Sequence, residues 1–265
     1  MHITITGNLG SGKSTICRLL NEKYGYEIYS TGKIQRELAR QMNMTTLELN
    51  QLMCSDKKYD TMIDDETARI SRENRDKDII FDSRLAWNFV EFSFKVFVSV
   101  SLDVAAERVM NDQRGNVESY SSLEEAKSLL AQRAATERVR YKDIYNLNYM
   151  DFNNYNLVID STYSSPELIA GIILQEAKEF YKDYTAYGGL KHFVSPKRLI
   201  KEEDISAEDE EKLQPLIAEY KKADYIISEL IKVRSKEDGY EVIDDVDKVK
   251  AALLASVPYI RILTV

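Results

Sequence analysis

Histidine is almost missing from this chain: His2 and His192 are the only two in 265 residues. A serine–histidine–aspartate triad and a multi-histidine metal centre are therefore excluded. Cysteine is as scarce, with Cys17 and Cys54 alone. The pair lacks metal-type spacing and Cys17 falls in a helical pattern, so both read as thiols of a reducing compartment. No stretch approaches the roughly 18 apolar residues that a membrane-spanning helix needs. The opening MHITITGNLGSGK has neither the charged start nor the small-residue cleavage site of a secretory signal. The expectation is a cytoplasmic protein with no membrane partner. Basic residues are outnumbered, 36 Lys and Arg against 44 Asp and Glu, for a formal charge of −8. That balance argues against a general nucleic-acid-binding surface, yet local arginine clusters can still grip phosphate in an acidic protein.

Apolar residues make up 44% and charged residues 30%, which supports a sizeable core. Residues 1–6 alternate as a strand, a glycine-rich loop follows, and Lys13–Tyr24 has helical periodicity. Further strands are predicted at Tyr26–Tyr29, Asp78–Asp82, Lys95–Val100 and Leu157–Asp160. Between them lie helical patterns at Lys33–Gln41 (with Thr31 as its N-cap), Thr45–Met53, Asp56–Asn74, Asp103–Asn111 and Ser122–Tyr141, and Pro166–Tyr184 closes the series. Strands alternating with helices predict an α/β fold with a parallel sheet covered on both faces. Near Gly188-Gly189 the alternation stops, and Pro196, Pro215 and Pro258 all lie beyond it. Two units are expected, residues 1–187 and a small α+β module over 190–265.

Gly7-Asn8-Leu9-Gly10-Ser11-Gly12-Lys13-Ser14 matches G-x-x-x-x-G-K-[ST] in full, with a strand before it and a helix after. In such a loop the glycines let successive backbone N–H groups point at phosphate oxygens, and the helix N-terminus adds positive field. Gly7, Gly10, Ser11, Gly12, Lys13, Ser14 and Thr15 are the expected nucleotide-binding residues. Lys13 would reach the β- and γ-phosphates of ATP, and Ser14 would ligate Mg²⁺. No N-K-x-D base-reading loop occurs, which argues against a GTPase; the modest length argues against a motor ATPase.

Four segments carry a resemblance. GNLGSGKST, YEIYSTGKIQRELA, DSRLAW and RAATERVRYKDIY occur in that order. Over residues 1–184 the chain resembles the cytidylate kinases of the compact type. The resemblance implies a P-loop NTPase fold: three α/β/α layers, a five-stranded parallel sheet and a helical lid. It further implies phosphoryl transfer from ATP to a nucleoside monophosphate, CMP or dCMP.

The residues themselves admit this reading and a plainer one. Thr31 and Arg36 lie where such kinases bind the acceptor, and a guanidinium at 36 can grip a phosphate bidentately. Arg36 equally suits a solvated helix face shared with Glu37 and Arg40. Asp82 ends a buried strand, the edge where α/β sheets place ligands. It is expected to help hold Mg²⁺, with Arg84 on the acceptor phosphate; a helix-capping Asp–Arg pair is the alternative. Arg133, Glu137 and Arg140 fall at i, i+4 and i+7 on one helix face. The arginines would stabilise the transferring group with Glu137 at the substrate, or all three would form ordinary surface pairs. Arg108 is a weaker candidate, and Arg138 and Arg114 weaker still. Ala134, Ala135 and Asn148 depart from the family pattern, while Asn146 replaces a turn glycine.

Compact cytidylate kinases lack the last third. It is expected to form a helix over Ala207–Lys222, a hairpin of Glu229–Val233 with Tyr240–Ile243, a helix over Val246–Leu254 and a strand at Tyr259–Val265. The tail is similar in pattern to the ParB/sulfiredoxin-like fold, with Asp245 at its glycine position. A regulatory, dimerising or partner-binding role is expected for residues 190–265. Two other functions stay open: a kinase of another small phosphorylated metabolite, and a nucleotide-dependent switch.

Overall fold

The computed structural model describes residues 1–44, 52, 58–111, 120–236 and 239–265. The expected helix at Thr45–Met53 (apart from Leu52), Cys54 and Arg114 lie outside the described residues, as do the side chains at 33, 35–38, 59 and 60.

β1 (His2–Gly7) is buried along its whole length at the centre of the sheet. α1 (Lys13–Tyr24) lays Ile16, Cys17, Leu19 and Leu20 against it and stops at Gly25, which adopts the left-handed conformation of a C-cap. β2 (Glu27–Ser30) leads straight into α2 (Thr31–Gln41), so Thr31 is the first helical residue rather than a cap ahead of Lys33. α3 (Lys58–Glu73), β3 (Ile79–Asp82), α4 (Ala86–Phe89), β4 (Phe94–Ser99) and α5 (Leu102–Asn111) follow. α6 (Leu123–Tyr145) is capped by Ser122 and ends at Asn146, whose φ of 54° is the glycine-like turn conformation. β5 (Leu157–Asp160) precedes α7 (Pro166–Lys182), which has Ser165 as N-cap and Pro166 in its first turn, and the short α8 (Tyr184–Tyr187).

The five expected parallel strands are present in the order β2-β3-β1-β4-β5. The sheet does not end there. β6 (Lys191–Val194) pairs parallel with β5, and β9 (Tyr259–Thr264) lies antiparallel against β6. β7 (Ile226–Lys236) and β8 (Gly239–Val242) complete a sheet of nine strands, β7 parallel to β9 and β8 antiparallel to β7. α9 (Ala207–Tyr220), with a capping box at Ser206 and Asp209, and α10 (Val246–Leu254) cover the added strands. Asp245, read as standing at a glycine position, takes φ 57° just before α10.

The period of two along β6 joins the two parts of the core. Phe193 packs in the cluster beneath α1 and α7, while Val194 packs in the cluster beneath α9 and α10. Glu176 on α7 adds a polar joint: its carboxylate, almost fully buried, accepts from Lys191 Nζ at 2.6 Å, Tyr187 OH at 2.8 Å and Tyr225 OH at 3.4 Å. A buried carboxylate so paired is costly to break, because removing one partner strands the charge. Among the described residues no helix is long and apolar enough to cross a membrane.

Trp87, the only tryptophan, is buried beside Tyr155 in the first part of the chain, far in sequence from β7–β9. Phe193→Ala should therefore cost about 3–5 kcal/mol and lower the urea midpoint seen by Trp87 fluorescence and by far-ultraviolet circular dichroism together. Two separated transitions would show instead that the added strands unfold independently.

Candidate active site

The parallel strands β2, β3, β1, β4 and β5 all end on one edge of the sheet, and the residues that follow them build the site. Gly7 is required at the exit of β1: a Cβ there would lie 2.2 Å from the carbonyl oxygen of Val98. Gly10 has φ 74°, and a Cβ on it would strike Ala105 of α5 within 2.9 Å. The loop thus runs tight against β4 and α5, and Asn8 fixes it further, its N–H donating to Val98 O at 3.0 Å and its Oδ1 accepting from Val100 N at 3.3 Å.

Lys13 folds back over this loop and donates to the carbonyls of Gly7 at 3.1 Å and Asn8 at 2.9 Å. Burial lowers its pKa to about 7, and the nearby Arg84 guanidinium pushes the same way, against a pull from Asp82. Ser11 is buried, whereas Ser14 is exposed at the start of α1 and Thr15 half-buried.

On the β3 side, Asp82 stands in register with Ile5 of β1 and Ser30 of β2, and Ser30 Oγ approaches its carboxylate at 3.5 Å. Arg84 turns inward. Its Nε donates to Glu137 Oε2 at 2.9 Å, its Nη1 to the Gly7 carbonyl, and its guanidinium lies 5.9 Å from the Tyr149 ring centre. Arg84 and Glu137 are 17% and 19% exposed, so this ion pair is poorly screened, unlike a surface pair. Glu137 also accepts from Arg133 Nε at 3.3 Å. The i, i+4 spacing read from sequence is therefore a real pair, and Arg84 is its third member. Arg140, one turn on, lies against Tyr141 at 5.9 Å. Thr31 is half-buried at the head of α2, and Arg36 sits on α2 with its side chain outside the described residues.

Sequence reasoning ranked Arg108 low, and it passed over Ser161 and Thr162. Arg108 on α5 donates to the Ser161 carbonyl at 2.7 Å, to Ser161 Oγ at 3.2 Å and toward the Gly10 carbonyl at 3.5 Å. It clamps the phosphate loop to the turn after β5. The only signal was its place in the last turn of a helix, which is no signal at all without the fold.

Lys13 and Ser14 sit at a helix N-terminus, and Lys13 lies in the fields of Asp82 and Arg84 at the strand ends. This arrangement defines a P-loop phosphotransferase, with two hard oxygen donors, Ser14 and Asp82, of the kind Mg²⁺ takes. Among the described residues no cluster of three or more His, Cys, Asp or Glu could hold a metal. An ion held by Ser14 and Asp82 would therefore complete its shell from water and phosphate oxygens, as Mg²⁺ does.

The cytidylate kinase-like family model matches residues 2–163. The cytidylate kinase of Haloarcula marismortui is 32% identical over 185 residues, 69% of this chain and 92% of that protein. That of Methanobrevibacter smithii is 33% identical over 178 residues, 67% of this chain and 99% of that protein. A solved structure of an uncharacterized protein from Eubacterium ventriosum aligns with a TM-score of 0.49 at 16% identity, covering 67% of this chain and 98% of that one. The chain belongs to the cytidylate kinase-like family and is a nucleoside monophosphate kinase. The family match ends before β6, so the ParB/sulfiredoxin-like resemblance of the tail rests on sequence pattern alone.

A Lys13 with a pKa near 7 is largely neutral at pH 8 and regains its proton when phosphate arrives. Binding of a nucleoside triphosphate at pH 8 should then take up about one proton. Titration calorimetry in buffers of different ionisation enthalpy measures this, and a Lys13→Met variant should lack the uptake.

Proposed function

We propose that the chain transfers the γ-phosphoryl group of ATP to CMP or dCMP, giving ADP and CDP or dCDP. The observation that carries this reading is Arg84. It stands at the end of β3 beside Lys13, anchored by the Gly7 carbonyl and Glu137, with Nη2 left for an incoming phosphate. A guanidinium fixed at that spot suits an acceptor that itself bears a phosphate, and would be poorly spent on an uncharged one.

In this mechanism the acceptor phosphate oxygen attacks the γ-phosphorus in line. The bond from that phosphorus to the β–γ bridging oxygen breaks, and ADP leaves. The acceptor oxygen is already anionic at neutral pH, so no side chain need remove a proton. Arg84, with Arg36 on α2 and Thr31 at its head, holds the acceptor. Lys13 and the loop N–H groups hold the donor phosphates, with Gly7, Gly10, Ser11, Gly12 and Thr15 shaping their cradle. Arg133 and Arg140 on α6 offset the charge that builds on the migrating group, and Glu137 orients Arg84 and Arg133. Mg²⁺, held by Ser14 and Asp82, would supply further neutralisation of the β- and γ-phosphates. Catalysis is positioning plus electrostatics.

The test is coupled ADP release with ATP, Mg²⁺ and, in turn, CMP, dCMP, UMP and AMP. CMP or dCMP should be preferred, and Arg84→Ala should cost roughly a hundredfold or more in kcat/KM. ATP binding without turnover of any of the four would reject the acceptor assignment and favour a nucleotide-dependent switch.

A further inference from the structure

The nucleotide edge of the sheet is not finished by the kinase-like part of the chain. β6 runs parallel to β5, so the residues after it, Ser195 to Arg198, emerge at the same edge as the phosphate loop. β9 then lies against β6, and its first residue, Tyr259, is wholly buried. The Tyr259 hydroxyl donates to the carbonyl oxygen of Asp160, the last residue of β5, at 2.8 Å. The Asp160 side chain is also buried. Its Oδ1 accepts from Thr162 Oγ1 at 2.6 Å, and that hydroxyl oxygen accepts in turn from the N–H of Ser101 at 3.0 Å.

The next link is Ser161. Its N–H and its hydroxyl both donate to the Ser99 carbonyl, at 2.8 and 2.9 Å. Its own carbonyl and Oγ receive Arg108, which reaches on to Gly10 in the phosphate loop. Adjacent residues of one turn, joined by the chain itself, thus link the hydrogen bond from β9 to the arginine that reaches the loop. The electrostatics follow the same line. Burial raises the Asp160 carboxyl pKa, with the Thr162 hydrogen bond and then the Arg198 guanidinium opposing that rise; burial lowers the Arg108 pKa, and the Asp160 charge opposes that in turn. One buried carboxylate therefore lies in the fields of two arginines, one from each part of the chain.

We infer that Tyr259 is a positioning residue for the donor nucleotide, holding the Asp160–Thr162 turn against which Arg108 sets the phosphate loop. The inference rests on reading that loop as the ATP site. The strand order gives it a sharp prediction. β1, which carries the loop, separates β4 and β5 from β3 and β2, so the brace reaches the donor side, whereas Arg84 and α2 form the acceptor side. Loss of the brace should weaken ATP and spare the monophosphate. The third of the chain beyond the family match would then be a working part of the kinase rather than an attachment to it.

The experiment compares the full chain with Tyr259→Phe and Val249→Ala. Val249, on α10, is buried in the core of the added strands, and its truncation reports what general loosening of this part does. The Kd for MgATP, by calorimetry, should rise roughly tenfold in Tyr259→Phe, the scale of one lost buried hydrogen bond. Val249→Ala should bind like the parent. In steady state the KM for ATP should rise likewise, while kcat and the KM for the monophosphate stay within about twofold. Unchanged ATP affinity in folded Tyr259→Phe would overturn the inference, as would an equal loss in Val249→Ala. A parent that binds MgATP but turns over no monophosphate would sink the acceptor assignment alone, since the Kd comparison still decides this one.

Discussion

The Arg84 guanidinium is the charge on which the rest of the site is arranged. It leaves the end of β3, reaches the carbonyl of Gly7 at the mouth of the phosphate loop, and is met by Glu137 from α6. Each contact explains a neighbour. The positive charge of Arg84 adds to the burial that lowers the Lys13 pKa, while the carbonyls of Gly7 and Asn8 accept from the lysine. The carboxylate of Glu137 takes Arg84 from the sheet and Arg133 from its own helix, and the Arg84 bond ties that face of α6 to the end of β3. With several arginines converging on one edge, the overall charge of −8 is no obstacle to binding polyanions.

Much of this was legible before any coordinates. The phosphate loop combines a spacing pattern with a strand-and-helix context, and both are local properties of the sequence. The same holds for the helices whose starts are marked by Ser122, Ser165 and Ser206 and for the turn at Asn146. The α6 triad was visible as spacing, because i and i+4 partners share a face whatever the helix packs against. That Arg84 would join it across the sheet was not visible, since 53 residues separate the two side chains.

Where reading failed, the reason was pairing. β6 is a four-residue strand following two glycines, and nothing in KHFV says which neighbour it will find. It read as the far side of a boundary, yet its alternate residues face two different clusters and weld them together. Arg108 was undervalued for a related reason. Its partners are carbonyls and a serine hydroxyl of a turn 53 residues away, and backbone acceptors leave no trace in side-chain patterns. Long-range partnerships of this sort are set by topology, and topology is where local rules stop.

β9 is the ninth strand in chain order but the seventh across the sheet, between β6 and β7. A growing chain therefore makes the β7–β8 hairpin well before the strand that fastens it to everything else. Until residues 259–264 leave the ribosome, the open edge of β6 and the side of β7 that will face β9 wait unpaired, and such edges invite wrong partners. The same six residues bring Tyr259 to the turn after β5. Completion of the sheet and bracing of the nucleotide edge are thus a single late event in biosynthesis, so a polypeptide cut short before that strand lacks both at once.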